Sequence, residues 1–425
     1  MALNGVIVSS VSRNSRQSAL KEVLNGSSTK RASSQSDPKN KVVPSSEGQW
    51  TMARVLEAGL KQMGLKEVEV DEHGNVTAYL PGSVKDVPTV GFVAHVDTVD
   101  VGLSPEIHPQ VIHYTGGDVC LNQAKDIWIR LAEHPELSNH VGEDIIFTDG
   151  TSVLGADNKA GVTNIMTALE ILVTEQIPHG DIRVAFVPDE ETGLRGSKLL
   201  DLDRFKVDFA YTVDGGELGQ LVYETYNAAE VHIDIEGVTT HPASAKGVLL
   251  NPILVAVDLM ANFNRLETPE NTDEREGYYW FKNMSANPAR AHLQINIRDF
   301  DDKTFEARKQ YVRDVVQLIA KRYPRAKINA DIEDIYRNIS GGLGEDRYPI
   351  DVMYEALKSL NIEPKTVAMR GGTDGSALTA RGLVTPNYFT GSYNHHGYAE
   401  FMPIESFVAS LDMTLKVIEL ISKGR

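Results

Sequence analysis

The chain has 425 residues, 42 of them basic and 59 acidic, for a formal net charge of −17 at neutral pH. Such a balance supplies no basic patch for phosphates, so neither nucleic acid nor an anionic membrane is expected as a partner. A single cysteine, Cys120, excludes an intramolecular disulfide and a thiolate-built structural zinc site, and suits a reducing, cytoplasmic compartment.

At this length two domains are expected. No run approaches the roughly 18 consecutive apolar residues of a membrane span. Met1 to Ser10 lack the basic start and long apolar core of a signal peptide. Residues 25–46 are rich in Ser, Lys, Asn and Pro, which predicts a mobile or irregular segment without chemistry of its own. Ser45-Ser46-Glu47-Gly48 then precedes Gln49–Met63, whose apolar residues recur at helical spacing, a capped helix.

Strands are expected near 67–80 and 88–96, the second ending in His95-Val96-Asp97. Asp149-Gly150-Thr151-Ser152 reads as a turn, and 154–161 leads into a helix over about 159–176. That helix carries an apolar stripe of Val162, Ile165, Met166, Leu169 and Leu172. A strand at 182–187 runs into Pro188-Asp189-Glu190-Glu191, and one at 209–213 into Asp214-Gly215-Gly216. Short apolar runs of this kind are central strands covered on both faces. The order predicts an α/β fold with a mostly parallel sheet and helices on both faces.

The texture changes near 225. Residues 230–237 and 291–299 alternate with period two, helices are expected near 251–265 and 303–322, and a further strand at 327–335. This β-α-β-β-α-β-like order is that of an α+β open-faced sandwich. After about 337 come glycine-rich turns, a strand-like 383–389 and a helix over 404–423. The arrangement predicts a discontinuous catalytic domain, 45–224 and 337–425, with a domain inserted over 225–336.

Ligands of α/β proteins bind beyond the carboxyl ends of the strands, and here three such ends deliver a histidine and acids. His95 followed by Asp97 supplies a metal ligand with its own orienting carboxylate; taken alone, such a histidine at a strand end is more often simply hydrogen-bonded. Asp189-Glu190-Glu191 repel one another unless a cation intervenes, although acids also favour a helix N-terminus. Adjacent Glu190 and Glu191 project differently, so one can bind metal while the other faces a water. Asp157 could bridge two ions or cap a helix, Asp214 could ligate or begin a turn, and His395-His396 could supply a nitrogen or lie in an exposed loop. Oxygen and nitrogen donors without thiolates suit zinc, manganese or cobalt.

These residues carry a family resemblance. From about Ser45 to the C-terminus the chain resembles the peptidase T family, aminotripeptidases among the dizinc exopeptidases related to carboxypeptidase G and aminoacylase. The motifs include Val43-Pro44-Ser45-Ser46-Glu47-Gly48-Gln49-Trp50, Gly91-Phe92-Val93-Ala94-His95-Val96-Asp97-Thr98, Leu154-Gly155-Ala156-Asp157-Asn158-Lys159, Tyr211-Thr212-Val213-Asp214-Gly215-Gly216, His241-Pro242-Ala243-Ser244 and Arg370-Gly371-Gly372-Thr373-Asp374-Gly375. The resemblance implies two Zn2+ per chain, with Co2+ or Mn2+ as substitutes, bridged by Asp157. His95 and Asp214 would complete one site, Glu191 and His396 the other. Asp97 would orient His95, and Glu190 would act as general base. His241, Arg298 and Arg370 would steady the oxyanion or the carboxylate of a small peptide substrate. The inserted domain would serve as lid and homodimer interface, and the Asp157–Asn158 peptide would be cis. The same donors serve dipeptidases, carboxypeptidases and N-acyl-amino-acid deacylases; a metal-loaded binding module without catalysis would have no use for Glu190. Two departures stand out: residues 1–44 diverge from the compact family start, and Tyr398-Ala399-Glu400 stands where the family tends to Lys-His-Glu.

Overall fold

The computed structural model describes residues 33–424; most of the divergent segment 1–44, and the expectation for Met1–Ser10, lie outside them. The chain divides into two units, one made of residues up to Tyr223 with Leu343–Val367 and Thr373–Arg425, the other of Glu224–Gly342 with Ala368–Gly372.

The first unit is built on an eight-stranded sheet in the order Lys66–Val70, Val76–Leu80, Ile182–Val187, Val90–His95, Phe209–Gly215, Asn387–Phe389, Gln220–Thr225 and Lys365–Met369. Val90–His95 runs parallel to Ile182–Val187 on one side and to Phe209–Gly215 on the other, and Asn387–Phe389 extends the parallel set. Flanking strands pair antiparallel, so the sheet is parallel at its centre and mixed overall. All six residues of Val90–His95 are buried. Phe92 and Ala94 pack with Val162, Ile165, Met166 and Leu169 of the helix Ala156–Thr174. Val93 points the other way, against Leu200, Phe205 and Leu378. Helices therefore cover both faces, which is why these strands read as continuous apolar runs rather than alternating ones.

Elsewhere the structure differs from the sequence reading. The stretch 67–80 is a hairpin, not one strand: the Asp71 carboxylate accepts the N–H groups of His73 and Asn75 and turns the chain. Ser46 starts the helix Glu47–Gln62 without a side-chain cap bond; the Gln49 amide donates to its hydroxyl instead. Residues 33–46 are irregular but anchored, with Ser36 N–H donating to Thr98 O and Thr98 N–H to Ser34 O. The strands Pro109–His113, Val119–Asn122, Ile127–Ile129 and Asp144–Thr148 were not anticipated, because they are short, at three to five residues, and the first three are only partly buried.

The second unit holds a four-stranded antiparallel sheet ordered Tyr278–Ala286, Arg290–Asp299, Asn227–Glu236, Lys327–Tyr336. Its helices Pro252–Met260 and Asp302–Arg322 bury Val255, Leu259, Val312 and Val315 against Val231, Ile233, Leu293 and Ile295. The opposite face is polar. Tyr278–Ala286 escaped the sequence reading because most of its side chains are exposed and no alternation marks it. Among the described residues no helix is long and apolar enough to cross a membrane.

Candidate metal centre

Because the three central strands run parallel, their carboxyl ends share one edge. His95 is the last residue of its strand, Asp214 the penultimate residue of another, and Glu190 and Glu191 lie in the turn after the third. Asp157 stands at the start of Ala156–Thr174, at a kink where its own backbone and that of Asn158 are not helical, behind Gly155 with φ of 71°. The peptide between Asp157 and Asn158 is cis. His395 and His396 arrive on a loop pinched shut by the bridge between Tyr393 and Phe401.

Asp157 lies between two groups of donors. Its Oδ1 is 2.9 Å from His95 Nε2, and Asp214 Oδ1 is 3.6 Å from that same nitrogen. Its Oδ2 is 3.1 Å from His396 Nε2, which stands 2.9 Å from Glu191 Oε1. Below them, Asp97 Oδ1 is 3.3 Å from His95 Nδ1. The buried Glu191 Oε1 makes no hydrogen bond in spite of its closeness to His396. Proximity without alignment is the signature of two donors converging on a third atom, and a cation would satisfy it. His95, Asp157 and Glu191 offer ligand atoms all within 4.8 Å of one another.

The electrostatics agree. Burial, reinforced by neighbouring acids, pushes the Glu190 carboxyl well above its usual range and raises Asp214. Burial likewise brings Glu191 up to about 7. Burial also opposes charge on His95 and His395, but the surrounding aspartates win, leaving His95 well above its ordinary value and His395 at about 9. Carboxylates crowded in a dry site resist ionisation unless positive charge joins them. The oxygen and nitrogen donors fit Zn2+, Co2+ or Mn2+.

The sequence reading missed several supports. The Glu400 carboxylate accepts the N–H groups of Gly155 at 2.8 Å and Asp157 at 3.2 Å, fastening the histidine loop to the helix start. Asp189, wholly buried, accepts from Ser45 N–H and from the Gln49 amide, both at 2.8 Å. Ser45 thus ties the irregular stretch 33–46 to the turn that carries Glu190 and Glu191, as a structural anchor. Asp374 is buried with one oxygen lacking a partner. No local spacing signals these residues, since each acts on a distant stretch of chain.

His241, Arg298 and Arg370 belong to the second unit. His241 is exposed, its Nδ1 accepting the Ala243 N–H. The Arg298 guanidinium lies over the Tyr336 ring. That of Arg370 lies over Tyr226 and Tyr278 and donates to Thr272 and to the Glu274 carbonyl.

Residues 223–327 match a peptidase dimerisation domain of the M20 group. Fold, donor cluster and this match set the class: the chain is a hydrolase of peptide bonds with a candidate metal centre. It is 57% identical over 382 residues to a peptidase T-like protein of Yersinia pestis, covering 90% of this chain and 93% of that one. It is 42% identical over 391 residues to the peptidase T of Caldanaerobacter subterraneus, covering 91% and 95%. The crystal structure of aminopeptidase PepT from Bacillus cereus shares the fold with a TM-score of 0.70 at 22% identity, covering 87% of this chain and 92% of that chain. The chain belongs to the peptidase T family.

Proposed function

We propose that this peptidase removes the N-terminal residue from tripeptides, with two divalent cations, Zn2+ in first place and Co2+ or Mn2+ as substitutes. The observation that carries the reading is the division of Asp157, one oxygen toward His95 and the other toward His396. His95 and Asp214 would hold one ion, Glu191 and His396 the other, and Asp157 both. Bound there, the ions supply Lewis acidity, which lowers the pKa of a water to about 7 and polarises the scissile carbonyl.

Glu190 is the carboxylate left over for proton transfer. It takes a proton from the attacking water and returns it to the leaving amine. Its backbone N–H is fixed by Asp97 Oδ1 at 3.0 Å, so the carboxylate that steadies His95 also sets the root of the base. His241, Arg298 and Arg370 keep the roles implied by the resemblance, steadying the oxyanion or the substrate carboxylate. Held over two rings, Arg370 has its guanidinium fixed in orientation, which suits a carboxylate partner. Residues 223–327 support a homodimer, and the lone Cys120 supports a cytoplasmic setting.

The test is a comparison of tripeptides with a free and an acetylated N-terminus. Hydrolysis of the free form alone, with release of its first residue, is expected. Preference for the acetylated form would indicate a deacylase, and metal uptake without turnover a binding module.

A further inference from the structure

The polar face of the four-stranded sheet carries a second imidazole cluster. Along Asn227–Glu236 alternate side chains part, so that Val231, Ile233 and Ile235 fill the core while Glu230, His232 and Asp234 share the open face. The neighbouring strand sets His292 directly opposite Asp234, and Gln294 opposite His232. His232 and His292 are therefore diagonal neighbours, their rings stacked with centroids 5.5 Å apart.

Each ring turns one nitrogen toward an acid and the other toward its partner ring. His292 Nδ1 is 2.8 Å from Asp234 Oδ1; in a neutral ring, an N–H at that nitrogen leaves the lone pair on Nε2. His232 Nε2 stands 3.8 Å from Glu230 Oε2. The two inward nitrogens, His232 Nδ1 and His292 Nε2, face each other at 3.5 Å. That is long for a hydrogen bond. It is close to the separation of two nitrogens on one tetrahedral ion, roughly 3.3 Å for bonds of about 2.0–2.1 Å. A carboxylate on the far nitrogen of an imidazole is the arrangement that orients metal-binding histidines. The third strand places Asp331 directly opposite His232, where it adds negative charge to this face. With side chains 39% and 34% exposed, both rings are reachable from solvent.

We propose that His232 and His292 form a site for a divalent transition ion such as Zn2+ or Cu2+, built from none of the donors around Asp157. The metal-loaded protein is dialysed to equilibrium against Zn2+ and its bound metal counted. His232→Gln and His292→Gln are each expected to hold one ion per chain fewer than the wild type, with peptidase activity unchanged. Asp234→Asn should weaken that uptake roughly ten- to hundred-fold. With Cu2+ as the probe, the electron paramagnetic resonance spectrum should show coupling to two imidazole nitrogens, reduced to one in either histidine variant. Equal metal counts in wild type and both variants, or a copper spectrum unaltered by them, would overturn the proposal.

Discussion

The Asp97 carboxylate accepts the backbone N–H of Glu190 at 3.0 Å, and its other oxygen accepts that of Glu191 at 3.2 Å. A residue two places beyond a proposed ligand thus holds the backbone of the proposed base and of a second ligand, across a gap of about ninety residues in sequence. Asp97→Ala would orphan two donors and remove the carboxylate beside the His95 ring, leaving Nδ1 only the backbone carbonyl of residue 97 at 3.1 Å. Metal affinity or activity is expected to drop roughly 10–100-fold, with about 1–3 kcal/mol of stability lost per buried orphan. Metal titration and chemical denaturation measure the two effects, and unchanged metal affinity would show that His95 needs no such anchor.

Glu190→Gln keeps the size of the side chain and removes the base. The expected result is a fall in kcat of roughly 10²–10⁴, with bound metal and unfolding midpoint retained. Single-turnover kinetics beside a metal assay separate this from ligand loss. Substantial residual turnover would sink the role of Glu190.

Bridging makes a stoichiometric prediction. Asp157→Ala removes an oxygen from each group of donors, whereas His396→Ala touches only the group with Glu191. The first variant should lose both ions and the second one. If Asp157→Ala, combined with His232→Gln to leave out the ion proposed at that histidine, retains one ion at full occupancy, Asp157 is a simple ligand.

Much of this was legible in the chain because burial and site geometry share one cause. A strand covered on both faces must be apolar throughout, so a histidine or acid at its end, as at His95, Glu191 and Asp214, stands out. Asp157 and His396 lie on no apolar run and took their meaning from the resemblance. What stayed hidden depends on contacts between distant segments: Ser45 and Gln49 at Asp189, or Glu400 at Gly155. The strand Tyr278–Ala286 was hidden for the opposite reason, since its exposed edge position imposes no pattern. His232 and His292 are ordinary polar positions of a half-exposed strand until register sets them side by side.

The Asp189 anchor is a stability device and can be tested as one. Gln49 accepts the Asp189 N–H at 2.9 Å while its amide donates to the carboxylate, all of it buried. Gln49→Ala leaves both partners short of a bond and should cost about 1–3 kcal/mol, read as a lower denaturation midpoint. Gln49→Glu should cost more, because it replaces the donating amide with a second buried carboxylate.

Gly161 tests whether the helix and the strand behind the candidate centre must stay in close contact. A Cβ added there would lie 2.1 Å from Val213 O and 2.3 Å from Asn158 Oδ1. Helix propensity favours alanine over glycine by about 1 kcal/mol, whereas overpacking a rigid contact costs roughly 1–3 kcal/mol or more. The steric term should win, because one obstacle is backbone, and the helix carrying Asp157 would be pushed off the strand carrying Asp214. Gly161→Ala is therefore expected to lower both stability and metal affinity. Gly59→Ala is the matched control: its new Cβ meets only the flexible end of Met166, at 3.1 Å. There the propensity gain should survive, raising the denaturation midpoint without altering metal affinity. Equal behaviour of the two variants would mean that the helix can shift without disturbing the donors.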